Sequence, residues 1–248
     1  KDWCPFCPGI NKKVPADYDV LKYDNDFPAL TQTPEAPYED GNDFYKSQEN
    51  YGKCEVILYS PEHTAKFYEL SEEHIVKLLD LIKERHREIA KDEKIKYIYP
   101  FENKGEAVGV TMPHPHGQLY GYSFVPQKLQ VELESAKDHH HDHGECLFCK
   151  MNQVEKEKEA RIVGENDSFL AYIPFFTDYP YGVFVVPKRH MNYITDCTEK
   201  ETKDLAHMLK TLTEAFDRLF DMPFPYMMVY HQNPVNSPEY EGHEEYYH

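Results

Sequence analysis

The run Met112-Pro113-His114-Pro115-His116-Gly117-Gln118 decides how the rest of the chain is read. Two histidines stand two positions apart, with a proline on either side of the first, and the small Gly117 and the neutral amide of Gln118 follow. In extended backbone successive side chains point to opposite faces. His114, His116 and Gln118 therefore fall on one face, and the prolines and Gly117 on the other. Three polar groups in a row add little to packing, so this face is a candidate for chemistry.

Working outward, Leu119 to Val125 continues the motif as a strand, and Lys96 to Glu102 precedes it as another, with a turn from Asn103 to Val108. The connection is too tight for a parallel crossover, which predicts antiparallel pairing. Further upstream, Val20 to Tyr23 is a short strand and Cys54 to Tyr59 a longer one, ending in Ser60-Pro61-Glu62-His63. The Pro-, Asp- and Asn-rich segment 31–52 between them is a long loop. Ser71 caps a helix whose apolar stripe runs Ile75, Leu78, Leu79, Ile82 toward Ile89. Gln127 to Ser135 is weakly helical.

The same order then recurs. Cys146-Leu147-Phe148-Cys149 echoes the Cys4-Pro5-Phe6-Cys7 knuckle, and Val183 to Val186 ends in Pro187-Lys188-Arg189-His190 as the earlier strand ends in its own histidine. Thr198 caps a second helix through Leu205, Leu209, Leu212 and Phe216; Pro225 to His231 is a strand, and Tyr246-Tyr247-His248 begins another. This is the pattern of an internal duplication. It divides the chain at a His-rich, acidic linker into residues 1–136 and 137–248, each half an antiparallel sheet with packed helices, an α+β fold. Lys1 is not an initiator methionine and the chain stops in a strand-like run, so both ends, the second half's above all, read as trimmed.

The formal net charge of −17 argues against general nucleic-acid binding, which needs basic surface, though a small nucleotide needs only a local site. No apolar run approaches the ~20 residues of a membrane span, and no secretory signal opens the chain. Four of the six cysteines form two Cys-x-x-Cys pairs, which in such a chain point to metal or redox chemistry rather than disulfides. Cytoplasm is the default compartment. Cys4, Cys7, His63 and His114 supply two sulfurs and two imidazoles, and Cys146, Cys149, His190 and His248 repeat the set; each is a closed, structural zinc site in the making. His74, His86 and His207 read as ordinary surface or edge residues of helices, and His139 to His141 with His143 as a solvated linker.

With His114 assigned to metal, His116 remains on the same face. A neutral imidazole with one nitrogen bare and the other held as a donor can attack phosphorus and split a transfer into two steps. Gln118 can donate to a phosphoryl oxygen as charge builds there. By chemistry alone a satisfied polar pair in a sheet stands equal to this reading.

The run His114 to Gln118, with Phe101-Glu102-Asn103-Lys104-Gly105, the knuckle Cys4 to Gly9, Asn25-Asp26-Phe27, and both strand-end histidine segments, closely resembles the galactose-1-phosphate uridylyltransferases of the histidine-triad superfamily. The resemblance spans nearly the whole chain. It implies two tandem histidine-triad-like halves, usually paired as a homodimer. It also implies double displacement: His116 attacks the α-phosphorus of UDP-glucose, glucose 1-phosphate leaves, and galactose 1-phosphate takes the uridylyl group. Gln118 would hold the phosphoryl oxygens, where superfamily hydrolases carry a third histidine. Asn25 and Asp26 correspond to ribose and uracil contacts, and Phe101, Asn103 and Thr111 to further nucleotide-site residues. Some members build the second metal site, iron or zinc, from a carboxylate and histidines, for which Glu132 and His231 stand in place; the two thiolates favour the Cys146 set instead. The family's N-terminal arginine-bearing segment and its C-terminal sugar-phosphate-contacting part fall outside this sequence. An ADP-sugar phosphorylase of the same superfamily, or a non-catalytic nucleotide-binding zinc protein, are the alternatives.

Overall fold

A computed structural model describes residues 3–9, 13–37, 41–220 and 222–248. In chain order the elements are β1 (Leu21–Asp24), β2 (Gly52–Leu58), α1 (Glu72–Ile89), β3 (Tyr97–Lys104), β4 (His116–Tyr122), α2 (Gln127–His143), α3 (Leu147–Lys158), β5 (Ile162–Glu165), β6 (Phe169–Tyr172), β7 (Phe184–Pro187), α4 (Glu199–Leu219), β8 (Tyr226–Val229) and the short α5 (His243–Tyr246). The long loop between β1 and β2 has residues 38–40 outside the described set; its ends are tied by a bridge from Thr31 to Tyr51.

Two antiparallel sheets form, one in the order β1-β2-β4-β3-β8 and one in the order β5-β6-β7. The motif strand β4 lies at the centre of the first, flanked by β2 and β3. Its last strand, β8, comes from the second half of the chain and pairs with β3 from Phe101↔Val229 to Lys104↔Tyr226. Helices α1 and α4 start where the sequence places them: the Ser71 hydroxyl accepts from His74 N–H, and Thr198 from Glu201 N–H in a capping box. Their buried stripes join Ile57, Leu119, Ile98, Phe169 and Ala171 in one core shared by both halves. At its flank Glu55, fully buried, is gripped through both oxygens by Arg85 at 2.9 and 2.8 Å.

Several local expectations are corrected. Helix α2 runs on through the expected linker, because Leu129, Leu133 and Ala136 keep a buried stripe against Tyr97, Tyr246 and Tyr247. The histidines 139–143 thus complete its last turns, closed by Gly144 in the left-handed conformation (φ 70°). Cys146 stands at the N-cap position of α3, and Tyr246 ends α5 rather than opening a strand. His86 is buried, not a surface residue: its ring lies 5.4 Å from Tyr193 and its Nε2 has no hydrogen-bond partner among the described residues.

Burial pushes the His86 imidazole down to about 4. The unfolded chain, with an ordinary histidine near 6.5, then binds more protons than the folded one between pH 6.5 and 4, so stability falls as pH drops through that window. The contribution is on the order of 3 kcal/mol. Thermal unfolding followed from pH 7 to 4 should show a shallower acid limb for His86→Leu than for the wild-type chain; parallel limbs would refute this.

Candidate active site and metal centres

The first sheet has a helix-packed face and an open face. Register decides which residues share the open one: Tyr23 pairs with Val56, Val56 with Gln118, and Gln118 with Phe101. His116, Gln118, Tyr120 and Tyr122 of β4 therefore stand on the open face with Tyr99, Phe101 and Asn103 of β3, while Gly117, Leu119 and Gly121 turn to the core. His114 precedes the strand, and its ring turns into a buried cluster.

That cluster is built by the N-terminal knuckle folding against the end of β2. The donor atoms of Cys4, Cys7, His63 and His114 lie within 4.8 Å of one another, all four residues buried. Cys7 Sγ is 3.3 Å from His63 Nδ1 and 3.8 Å from His114 Nδ1, and Cys4 Sγ is 3.8 Å from His114 Nδ1. A tetrahedral divalent ion with bonds of about 2.3 Å to sulfur and about 2.0 Å to nitrogen has sulfur–nitrogen edges of roughly 3.5 Å, so the four groups fit one. On the far side of the His114 ring Nε2–H donates to the Ser60 carbonyl at 2.8 Å, which leaves Nδ1 as the nitrogen available to a metal. The Tyr18 hydroxyl, donating to the Phe6 carbonyl at 2.8 Å, lies 3.3 Å from the same Nε2.

In the second cluster Cys146, Cys149 and His190 gather within 4.8 Å, and His248 Nδ1 comes to 3.1 Å from Cys149 Sγ. His190 repeats the arrangement of His114, with Nδ1 3.3 Å from Cys149 Sγ and Nε2–H donating to the Glu244 carbonyl at 2.8 Å. The hydrogen bond from Cys149 draws the Cys146 thiol down to about 6, favouring the thiolate that a metal requires. The alternative position is different in kind. Glu132 Oε2 accepts from His231 Nδ1 at 2.9 Å and from the Tyr247 hydroxyl at 2.8 Å. Among the described residues neither Glu132 nor His231 belongs to a group of three potential ligands.

His116 follows directly from the first cluster. Its Nδ1–H donates to the His114 carbonyl at 2.7 Å, which leaves Nε2 as the bare, basic nitrogen. Burial lowers its pKa, outweighing the carbonyl that raises it, so the ring is neutral near pH 7. Phe6 from the knuckle lies 6.0 Å from the His114 ring and 6.1 Å from the His116 ring, tying both to one aromatic wall. Beside His116, Gln118 Oε1 accepts from the Tyr120 hydroxyl at 2.9 Å, which turns the amide nitrogen outward as a donor.

The other candidates spread around this pair. Phe101 lies across from Gln118 and edge-on to Tyr120 at 5.1 Å; Asn103 is two positions along the same face. Asn25 and Asp26 follow β1 two strands away, where Asn25 N–H donates to the Cys54 carbonyl and its side chain accepts from Phe27 N–H. Asp26 accepts from Tyr23 at 2.9 Å and from Lys13 at 2.7 Å, and Tyr23 is in turn 5.7 Å from Phe6. Phe27 is 92% exposed beside them. Thr111 lies exposed in the loop before the motif. A cavity of about 280 Å³ lined by Tyr99, Tyr122, Phe124, Lys128 and His231 opens at the other end of β4, roughly 20 Å of strand from His116. Sequence reasoning overlooked Phe6, Tyr18, Tyr23 and Tyr120. For Tyr120 strand alternation carried the signal, since it follows Gln118 on the same face.

Comparison with known proteins agrees with this architecture. Residues 1–126 match the family model for the galactose-1-phosphate uridyl transferase N-terminal domain, and residues 132–248 that for the C-terminal domain. The galactose-1-phosphate uridylyltransferase of Thermotoga maritima is 34% identical over 96% of this chain and 74% of its own length. That of Haemophilus influenzae is 32% identical over 96% of this chain and 69% of its own. A solved structure described as a uridylyltransferase superposes with a TM-score of 0.87 at 35% identity, covering 94% of this chain and 74% of that one. The chain is a member of the galactose-1-phosphate uridylyltransferase family.

Proposed function

We propose that the chain transfers UMP from UDP-glucose to galactose 1-phosphate through a uridylyl group carried on His116. The observation that supports this best is the pair on the open face: a neutral imidazole whose Nδ1–H is committed to the His114 carbonyl, next to an amide whose oxygen is committed to Tyr120. In the first step His116 Nε2 attacks the α-phosphorus. A nitrogen–phosphorus bond forms, the bond from phosphorus to the β-phosphate oxygen breaks, and glucose 1-phosphate leaves. Positive charge builds on the ring as the bond forms, and the His114 carbonyl stabilises it through Nδ1–H. The Gln118 amide N–H₂ donates to the phosphoryl oxygens. In the second step a phosphate oxygen of galactose 1-phosphate attacks the same phosphorus, the nitrogen–phosphorus bond breaks, and UDP-galactose leaves. Gln118 does not titrate, so it orients the phosphoryl group without delivering a proton.

Both Cys/His clusters are assigned to zinc, whose preference for thiolate and imidazole matches their donors. The first, Cys4, Cys7, His63 and His114, is structural: it fixes the residue whose carbonyl holds His116. The second, Cys146, Cys149, His190 and His248, ties α3 to the segment after β7 and to the C-terminal residues. Asn25, Asp26, Phe101, Asn103 and Thr111 are assigned to the nucleotide. The division into histidine-triad-like halves at 136/137, a point that falls within the continuous α2, pairing as a homodimer and a cytoplasmic location complete the reading. Among the described residues no helix is long and apolar enough to cross a membrane.

Initial rates with both substrates varied should give the parallel double-reciprocal lines of a two-step exchange, and His116→Ala should lose about 10⁴-fold or more in turnover. Intersecting lines with an active variant would overturn the proposal. UDP-glucose should be turned over in preference to ADP-glucose; the reverse would establish an adenylyl-transferring relative. Elemental analysis should find about two zinc per chain, and Cys4→Ser should lose one of them together with activity; one zinc or none in the unaltered protein would retire the second site or both.

A further inference from the structure

Directly beneath the catalytic pair, on the helix-packed face of the sheet, lies a group that the transfer chemistry does not use. Glu102 of β3 is buried, and its two oxygens accept from two phenols, Tyr59 at 3.2 Å and Tyr226 at 3.0 Å. Burial pushes the carboxyl up to about 7 against the pull of both phenols and Lys104. The Tyr59 end of this network touches the motif twice. Its backbone N–H donates to the Pro115 carbonyl at 3.1 Å, and its hydroxyl fills the space under Gly117 so closely that a Cβ there would sit 2.3 Å from the oxygen. The Tyr59 carbonyl is itself anchored, accepting from His74 Nε2–H at 2.6 Å.

We propose that Glu102 is a positioning residue for uridylyl transfer. By holding the Tyr59 hydroxyl under Gly117, it sets the height of the backbone step that joins His116 to Gln118. The inference rests on the assignment of those two residues above. Gly117 follows from the same contact: its neighbours need side chains on the open face, and only a residue without a Cβ leaves the hydroxyl its place. With the carboxyl's grip lost, the Tyr59 ring can slide and the step beneath nucleophile and clamp relaxes. Displacement of about 1 Å costs up to ~10²-fold in rate when reacting groups must be aligned. Substrate binding, made by other residues of the open face, is largely spared.

The test is the rate constant of the first half-reaction, read as the burst of glucose 1-phosphate when the complete protein meets UDP-glucose without acceptor. It is expressed per site from the burst amplitude, so that a misfolded fraction lowers amplitude and not rate. Glu102→Gln, whose amide offers one acceptor in place of two, and Tyr59→Phe, which keeps the ring packed, should each slow the burst about tenfold with KM for UDP-glucose within about twofold. Gly117→Ala should slow it too, and adding Tyr59→Phe should recover part of that loss, since the closest atom to the new Cβ would then be the Phe101 carbonyl oxygen at 3.0 Å in place of the hydroxyl at 2.3 Å. Wild-type burst rates per site in Glu102→Gln and Tyr59→Phe, or a Gly117→Ala defect indifferent to the hydroxyl, would overturn the inference. A wild-type protein that gives no burst overturns the assignment of His116, and this inference with it.

Discussion

Everything at the site depends on how the His114 residue is held. Its ring is fixed from both edges, Nε2–H to the Ser60 carbonyl and Nδ1 toward the two knuckle sulfurs, and its main-chain oxygen then faces the one ring that must stay neutral. A carbonyl placed 2.7 Å from His116 Nδ1 does two things at once. It selects the tautomer with a bare Nε2, and in the proposed transfer it would stand ready for the charge that the ring acquires. The Cys/His cluster thus reaches His116 through one residue's backbone.

The sheet gives that arrangement a rigid mount. β4 is central, paired on both sides, and its core-facing residues include two glycines that let Tyr59 and Ile89 approach the strand. The open face is bounded at one end by the N-terminal segment, whose Phe6, Val14 and Tyr18 pack with Val56 and Leu58, and at the other by α2 and α5 around Tyr97 and Tyr247. Between them the strand row of His116, Gln118, Tyr120 and Phe101 is half-buried. The second half adds Val229 and Met227 of β8 to this face, across from Phe101 and Asn103, and its Tyr226, turned the other way, shares the buried carboxyl of Glu102. The two halves thus share one core, and both contribute strands to the sheet that carries His116.

The parts legible in the sequence were those with local signatures. The capped amphipathic helices α1 and α4, the antiparallel pairing around the motif and the first Cys/His set all follow from spacing or periodicity. Helix α2 was half legible: its His- and Asp-rich end hides the Leu129, Leu133, Ala136 stripe that makes it continue. The pairing of β8 with β3 joins residues more than a hundred positions apart, and nothing in either strand names its partner. His86 looked like one more helical histidine because burial depends on what packs over it, here Tyr193 from a distant segment. The groups that tune the site, Phe6, Tyr18, Tyr59 and Glu102, escaped for the same reason: each acts through a contact whose partner lies far along the chain.

The central claim is that His116 Nε2 carries the transferred group. Peptide mapping by mass spectrometry after brief exposure to UDP-glucose, with digestion under alkaline conditions that preserve a phosphoramidate, addresses it directly. The added mass of one UMP should fall on His116 and vanish when galactose 1-phosphate is supplied. Label on any other residue, or a fully active protein that never carries label, would contradict the account.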